Sequence, residues 1–303
     1  MTSKVFKILY DNLGEFVSGE YIGCTLGVSR AAVSKSIADL KNKGLEIISV
    51  SKNGHKLINL NDCLDEDIVS ALTGKRTMFF EDCGSTNLEA RKGAENGYEL
   101  VVAAKQTKGR GRRQREFVSD LGGVYMSYII KPSFSPRQSM LINLAAGLAV
   151  FDALKDLGFE PYLKYPNDIY IDAKKVCGIL TETLADADAL QWAIVGIGIN
   201  VNNQLPSDLA DKASSLSKLS GRKFDRAKII KDVINYLDYY LTQDIVMHYT
   251  KKCAMIGSEI TIIDDQASFK AKAVGLNSDG LLIINRQGKD ELAVGGEVSV
   301  NIK

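Results

Sequence analysis

The sequence predicts an α+β chain of three units: an N-terminal winged helix-turn-helix, a central mixed α/β body and a small C-terminal β-barrel. Three observations carry this. Short capped helical patterns separated by Gly27 precede an Asn-Gly hairpin within residues 1–60. Strand and helix patterns then alternate around a Gly-Arg-Gly-Arg-Arg run. After Met255 the pattern changes to five short strands in about fifty residues, the density of a small barrel. A length of 303 residues suits two to three domains, expected at 1–62, 63–252 and 253–303.

Composition narrows the class. Hydrophobic residues at 45% and charged residues at 25% are ordinary globular usage, and only five prolines exclude a Pro-rich disordered chain. No apolar run approaches the ~18 residues of a membrane span. Met1–Lys7 lacks the apolar core of a secretory signal, so a cytoplasmic protein with no membrane partner is expected. Five cysteines without a Cys-x-x-Cys, and two distant histidines, argue against a disulfide framework or structural zinc. The net charge of +1 hides an asymmetry. Residues 1–60 hold eight Lys/Arg against five Asp/Glu, a surplus of +3, and the remainder is −2. A mildly basic arm on a near-neutral body fits a nucleic-acid-binding unit attached to an enzyme.

In the first unit, Val5, Phe6, Ile8, Leu9 and Leu13 share a helical face that Gly14 ends. Ser18 caps a second helix through Ile22, Cys24 and Leu26. Ser29 caps a third, with Val33, Ile37 and Leu40 inward and Gly44 at its end. Two short helices joined at a glycine have the layout of a helix-turn-helix, although such a module can also serve only to pack on its neighbour. The outward face of the third helix carries Arg30, Ser34 and Lys35, placed to meet phosphates and base edges in a major groove. Asn53-Gly54 predicts a two-residue hairpin turn. The hairpin makes a wing with Lys52, Lys56 and a surface His55 at its tip.

In the body, Thr77–Phe80 reads as a strand leading to Ser85-Thr86-Asn87. Thr86 and Glu89 have capping-box spacing for a helix to about Asn96. The same hydroxyls and amide can instead hold a small polar ligand. Leu100–Ala104 is a buried-type strand running into Gln106 and the loop Lys108-Gly109-Arg110-Gly111-Arg112-Arg113-Gln114-Arg115. Glycine there allows close backbone approach, and arginine binds phosphate or carboxylate with two bonds. A solvated loop or an RNA-binding run has the same composition. Gly122–Ile130 is a strand and Leu141–Leu157 a long helix. Lys164-Tyr165-Pro166-Asn167-Asp168 precedes a hairpin of Ile169–Ile171 and Val176–Leu184. Asp168 can bind a hydrated Mg²⁺ or merely close an Asx turn. Lys175 can direct a cation into a sheet-lined pocket. The alternating glycines of Ile194–Asn200 imply something flat against the backbone, either a purine ring or a neighbouring strand. A single amphipathic helix is expected within 226–249. The last strands are expected at Glu259–Ile263, Phe269–Gly275, Leu281–Asn285, Glu291–Val294 and Glu297–Ile302.

Four segments occur in a telling order: Gly-Arg-Gly-Arg-Arg, Lys-x-Pro-Asn-Asp, Lys-x-x-Gly-Ile-Leu and Gly-x-Gly-Ile-Asn. Together they resemble the biotin–protein ligases across essentially the whole chain. Leu26-Gly27-Val28-Ser29-Arg30-Ala31-Ala32 resembles the helix-turn-helix of the bifunctional bacterial members, which also repress biotin synthesis genes. Gly295-Gly296-Glu297 resembles a motif of the family's C-terminal SH3-like domain. The resemblance implies that Ser85, Thr86, Asn87 and Gln106 hold the biotin ureido region. Arg110, Gly111 and Arg112 would close over biotin and the adenylate phosphate. Lys175 would meet the carboxylate and acyl phosphate. Arg112, Phe117, Lys164, Asp168 and Asn200 would serve ATP, with Asn200 at adenine and Asp168 on Mg²⁺. Ser29, Arg30, Ala31, Lys35 and Lys52 would contact operator DNA. The catalytic set would be Lys175, Arg110 and Arg112.

The implied reaction is ATP-dependent biotinylation of a lysine through biotinyl-5′-AMP. The implied partners are a biotin carboxyl carrier domain, operator DNA and, with adenylate bound, a second copy of the chain. Three residues depart from the family pattern: Gln114 replaces Gly, and Phe117 and Tyr165 each replace Trp. Two alternatives stand beside this reading, a lipoate–protein ligase and a ligand-sensing regulator with weak or no ligase activity.

Overall fold

Local signals start and stop the first three helices. The computed structural model describes residues 1–131, 134–185, 190–263, 268–293 and 297–299. It places α1 at Thr2–Asp11, α2 at Gly19–Leu26 and α3 at Arg30–Asn42. The Ser18 and Ser29 hydroxyl oxygens accept from the backbone N–H of Tyr21 and Ala32, capping α2 and α3. Gly27 ends α2 in left-handed backbone. Val5, Phe6, Leu9, Ile22, Val33, Ile37 and Leu40 are buried in one cluster. Leu13 lies past the end of α1 and is exposed, against expectation.

The wing, β1 (Glu46–Val50) and β2 (Gly54–Asn59), closes differently from the expected Asn-Gly turn. Val50 pairs with Gly54, so Ser51, Lys52 and Asn53 form the turn. The left-handed residues are Lys52 (φ +72°) and Gly54 (φ +102°), not Asn53. Gly54 answers a different need. Val17 forms a single antiparallel bridge with His55 beside the hairpin, and a Cβ on Gly54 would stand 2.1 Å from the Val17 carbonyl oxygen. His55 is half-buried rather than at the tip. Its Nδ1 meets the Ser49 hydroxyl at 2.9 Å, and burial holds its pKa below the usual histidine value.

Helix α4 (Glu66–Thr73) buries Ile68 and Leu72 in the same N-terminal cluster. The body is a seven-stranded sheet. Its strands are β3 (Thr77–Cys83), β4 (Leu100–Gln106), β5 (Val124–Ile130), β6 (Tyr162–Lys164), β7 (Asp168–Ile171), β8 (Lys174–Ala185) and β9 (Leu190–Ile199). The spatial order is β3-β4-β5-β9-β8-β7-β6, with β3 and β4 parallel and the rest antiparallel. Helix α5 (Thr86–Ala94) follows β3, and α6 (Ser139–Asp156) follows β5.

Side-chain alternation gives the sheet two unlike faces. Val124, Met126 and Tyr128 of β5, and Val195, Ile197 and Ile199 of β9, pack with α6 in the main core. The intervening positions, Tyr125 and Ser127 of β5 and Gly196 and Gly198 of β9, face the other way. There α5 lays Ala90 against Val101 and Ile194.

After β9 come α7 (Leu216–Ser220), α8 (Arg226–Tyr240) and α9 (Ile245–Lys252). The single helix expected within 226–249 is therefore two. Asp244 accepts from the Met247 N–H and begins the second. The C-terminal strands are β10 (Glu259–Ile263), β11 (Ser268–Leu276), β12 (Leu282–Arg286), β13 (Lys289–Leu292) and β14 (Glu297–Ser299). They form one antiparallel sheet in the order β13-β12-β11-β10-β14. Among the described residues its two edge strands do not pair, so closure of the expected barrel is not seen. Gly295, Gly296 and the expected strand end at Ile302 lie outside the described residues. No helix among them is long and apolar enough to cross a membrane.

Asp62, between wing and body, sits at φ +57° and is tied to the start of α8. Its carboxylate accepts from the Arg226 N–H (3.0 Å) and Nε (2.9 and 3.0 Å), and from Asn202 Nδ2 (2.9 Å). Its own N–H donates to Asp225 Oδ1.

Gly54→Ala is expected to cost roughly 3 kcal/mol or more through backbone strain and collision with Val17. Gly14→Ala, at φ +85° with open space around its Cβ, should cost about 1 kcal/mol. Thermal unfolding of the two variants checks this. Equal shifts in midpoint would remove the close-approach account of Gly54.

Candidate active site

The glycine face of the sheet floors a cavity of about 180 Å³. Gly178 on β8 lies opposite Gly198 on β9, and Gly196 lies opposite Leu180. A Cβ on Gly196 would stand 2.3 Å from Asn87 Oδ1. One on Gly198 would stand 2.6 Å from the Phe117 ring, and one on Gly178 3.2 Å from that ring. The flat group over Gly198 and Gly178 within the chain is the Phe117 ring, and Gly196 is covered by the Asn87 amide.

One wall comes from the start of α5. Ser85 is the helix N-cap, yet it makes no capping bond, and the expected Thr86–Glu89 capping box does not form. Glu89 pairs with Lys92 instead. Thr86 turns inward: its N–H and hydroxyl donate to Gln106 Oε1 at 2.8 and 3.2 Å. The buried Ser127 hydroxyl points at Asn87 Oδ1 (2.6 Å) and Thr86 Oγ1 (2.8 Å). Asn87 Nδ2 donates to Glu182 Oε2 (2.8 Å) and the Leu180 carbonyl (3.3 Å), and Arg91 holds the same carboxylate from the other side at 2.7 Å. Both amide hydrogens of Asn87 are consumed inside the protein, so it shapes the wall. Ser85, by contrast, is a buried residue lining the cavity whose hydroxyl has no partner among the described residues.

The basic loop is an ordered hairpin. Arg110 pairs with Glu116, Gly111 N–H donates to the Arg115 carbonyl (2.7 Å), and Phe117 N–H to that of Gly109 (3.0 Å). Its left-handed residue is Arg113 (φ +54°). The close approach at Gly109 is to the loop itself, since a Cβ there would meet the Phe117 carbonyl at 2.3 Å. Arg110 and Arg112 both line the cavity. Arg112 lies 3.5 Å from Asn167 Oδ1, and the Arg110 side chain has no partner among the described residues.

The opposite wall holds Lys175 and Asp168, paired at 2.7 Å. The Lys175 backbone is pinned by bonds to Lys212 and Ser214. Asn167 Nδ2 donates to Asp168 Oδ1 (3.1 Å). Lys164 stands over the Tyr170 ring at 5.4 Å. Tyr165 is buried edge-on against Tyr249, and its hydroxyl donates to the Gly280 carbonyl in the turn before β12. An aromatic at this position therefore joins the cavity rim to the C-terminal sheet.

Ser85, Thr86, Asn87, Gln106, Arg110, Gly111, Arg112, Phe117, Lys164, Asp168 and Lys175 thus meet at one cavity, as expected. Asn200 does not line it. Its Oδ1 accepts from Asn203 Nδ2 (3.0 Å), and its backbone bonds Val176 and Leu216. Ser119, Ser127 and Glu182 were not anticipated. Their bonds to Gln106, Asn87 and Thr86 span 13 to 95 residues, beyond any local pattern.

No thiol is poised for attack here. Burial pushes Cys83 up to about 11 and raises Cys177 further, so neither forms a thiolate near neutrality. Among the described residues no three His, Cys, Asp or Glu side chains gather as a metal site.

On the N-terminal unit, Ser29, Arg30, Ala31, Lys35 and Lys52 are all exposed. The Ser29 hydroxyl is spent on its cap, and Arg30 pairs with Glu20 at 2.5 Å.

Comparison with known proteins agrees with this layout. Residues 80–200 match the biotin/lipoate A/B protein ligase family, and residues 2–56 match an HTH domain. The "Bifunctional ligase/repressor BirA" of Bacillus subtilis is 35% identical over 290 residues, 89% of each chain. The protein of the same name from Escherichia coli is 27% identical over 95% of this chain and 94% of its own. The biotin protein ligase of Aquifex aeolicus, solved with biotin and ATP, superposes with a TM-score of 0.62 at 28% identity, covering 74% of this chain and 97% of that one. With more than a third of its residues shared across nearly the full length of a curated member, the chain belongs to the bifunctional ligase/repressor group of the biotin/lipoate A/B protein ligase family.

Proposed function

We propose that the chain is a cytoplasmic biotin–protein ligase that also represses biotin genes. The observation that carries the ligase reading is one cavity with unlike walls. Ser85 and Gln106, the latter held in place by Thr86, offer hydrogen-bond groups suited to a cyclic urea, and Arg110, Arg112 and Lys175 offer cations suited to a carboxylate and a phosphate. A dithiolane ring would leave the polar wall unpaired, which disfavours lipoate.

In the first step a biotin carboxylate oxygen attacks the α-phosphorus of ATP. The new bond is acyl O–P, and pyrophosphate leaves with the electrons of the broken P–O bond. Lys175 and Arg112 hold the charge that builds on the phosphoryl oxygens, and Arg110 closes the loop over the ligand. Asp168 orients Lys175 through their ion pair. Phe117 supplies an apolar face for the nucleotide and helps exclude water from the labile adenylate. In the second step a lysine amine of a biotin carboxyl carrier domain attacks the acyl carbon, and AMP leaves. No protein nucleophile is needed, which suits the high thiol pKa values at Cys83 and Cys177.

Asp168 is a single carboxylate already facing a cation, a donor set that fits Mg²⁺ held mostly by phosphate oxygens and water. With Lys164 and Asp168 at the rim, such an ion would neutralise phosphate charge. Asn200 follows β9 outside the cavity lining, so it would serve adenine only if the nucleotide extended past Gly198 toward it. On this reading the C-terminal sheet is the SH3-like unit, and the body runs over 63–252. The exposed Arg30, Lys35 and Lys52 face operator DNA with Ser29 and Ala31 at the start of α3, and an adenylate-loaded homodimer brings two such helices to a palindrome.

Three outcomes test the proposal. Purified protein should catalyse ATP–pyrophosphate exchange with biotin and not with lipoate. Exchange with lipoate alone, or with neither, overturns the ligase reading. Lys175→Met should cut the exchange kcat by about 10²–10³-fold, measured at saturating substrates. Arg30→Ala should weaken binding to the chain's own biotin-gene operator about tenfold in a gel-shift titration and leave exchange unchanged.

A further inference from the structure

The cavity's two halves are joined by a residue that does not line it. Ser119 is buried at 4% exposure. Its hydroxyl oxygen accepts from Gln106 Nε2 at 2.9 Å, and its hydroxyl hydrogen points to the Phe117 carbonyl at 2.8 Å. Its carbonyl also accepts from the Gln106 N–H at 3.0 Å. Gln106 in turn presents Oε1 to the Thr86 N–H and hydroxyl. A continuous, directional chain therefore runs from Ser127 through Thr86, Gln106 and Ser119 to the Phe117 backbone.

Direction matters for an amide. A glutamine side chain can turn over and exchange its oxygen for its nitrogen. In Gln106 the oxygen end is claimed by two donors from Thr86, and the nitrogen end by an acceptor that is itself committed to Phe117. This leaves the second Nε2 hydrogen without a partner among the described residues. The other end of the chain is equally constrained. The Phe117 ring lies over Gly198 and Gly178, and the turn that carries it closes on Gly109 with no room for a Cβ, which would meet Ser119 Oγ at 2.5 Å.

We propose that Ser119 is a positioning residue that couples recognition of the small-acid substrate at Gln106 to seating of Phe117 over the nucleotide subsite. It touches neither substrate. It transmits through one hydroxyl that accepts from the acid-binding side and donates to the nucleotide-binding side. The proposal rests on the ligase reading above.

The test uses the full chain and biotin-dependent ATP–pyrophosphate exchange, with wild-type exchange established first, so that failure of the ligase reading is seen separately. Ser119→Ala should raise KM for biotin and for ATP together, each by about fivefold, the loss of one hydrogen bond at each end. Ser119→Thr, which keeps the hydroxyl, should restore both. Gln106→Ala in the wild-type background should raise KM for both substrates, and in the Ser119→Ala background should raise it for biotin only. Thermal midpoints of the variants separate this from unfolding. Ser119→Ala with either KM unchanged overturns the proposal, as does a Gln106→Ala effect on the ATP KM of the same size in both backgrounds.

Discussion

The arrangement of the body depends on the absence of side chains at three points of its sheet. Gly178, Gly196 and Gly198 sit on one face of two adjoining strands, and the alternate residues of those strands sit in the core under α6. A strand cannot shed side chains on one face without losing packing there. β9 offsets that loss with Val195, Ile197 and Ile199, all fully or almost fully buried on the other face. The cavity exists because the Phe117 ring and the Asn87 amide stand within about 3 Å of where those methyl groups would be. Around this floor stand groups from β4, β6, β7, β8, the start of α5 and the basic loop.

Polar order within the wall follows from burial. Ser127 is completely enclosed, and Thr86, Asn87 and Ser119 are nearly so. Enclosed hydroxyls and amides must find partners or cost free energy. They find each other, in one directed chain on the Gln106 side and in the Asn87–Glu182–Arg91 set on the other. Among the described residues of this wall, the Ser85 hydroxyl and one hydrogen of Gln106 are left without a partner, so that leftover bonding capacity defines what the pocket can read. The cations across the cavity are arranged by a different rule. Lys175 is neutralised locally by Asp168, whereas Arg110 is left open to the cavity.

Much of this was legible in the chain because the signals were local. The Ser18 and Ser29 caps and the Gly27 stop act within four residues, and the family resemblance implied the eleven residues that meet at the cavity. Misreadings came where two structures satisfy the same local pattern. Thr86 and Glu89 have capping-box spacing, yet a partner twenty residues away, Gln106, claimed the threonine. Asn53-Gly54 reads as a turn, yet the glycine is there for Val17. The apolar stripe of 226–249 continues across a break because both helices bury the same side. Ser119 and Ser127 carry no pattern at all, since an isolated serine looks like any other until its partner is folded onto it.

The tie between Asp62 and Arg226 has a bearing on how such chains are assembled from parts. A reader head on a flexible tether can be exchanged for another without regard to what lies beneath it. Here Asp62, just past the wing's second strand, is clasped by Arg226 and Asn202, and Asn202 also donates its backbone N–H to Gly122, in the turn that leads out of the basic loop. Head and body therefore share a hinge that has been welded. Grafting this head onto another body means carrying Asn202 and Arg226 along with it, and any inherited shuffling of the two would leave those three residues travelling as a set.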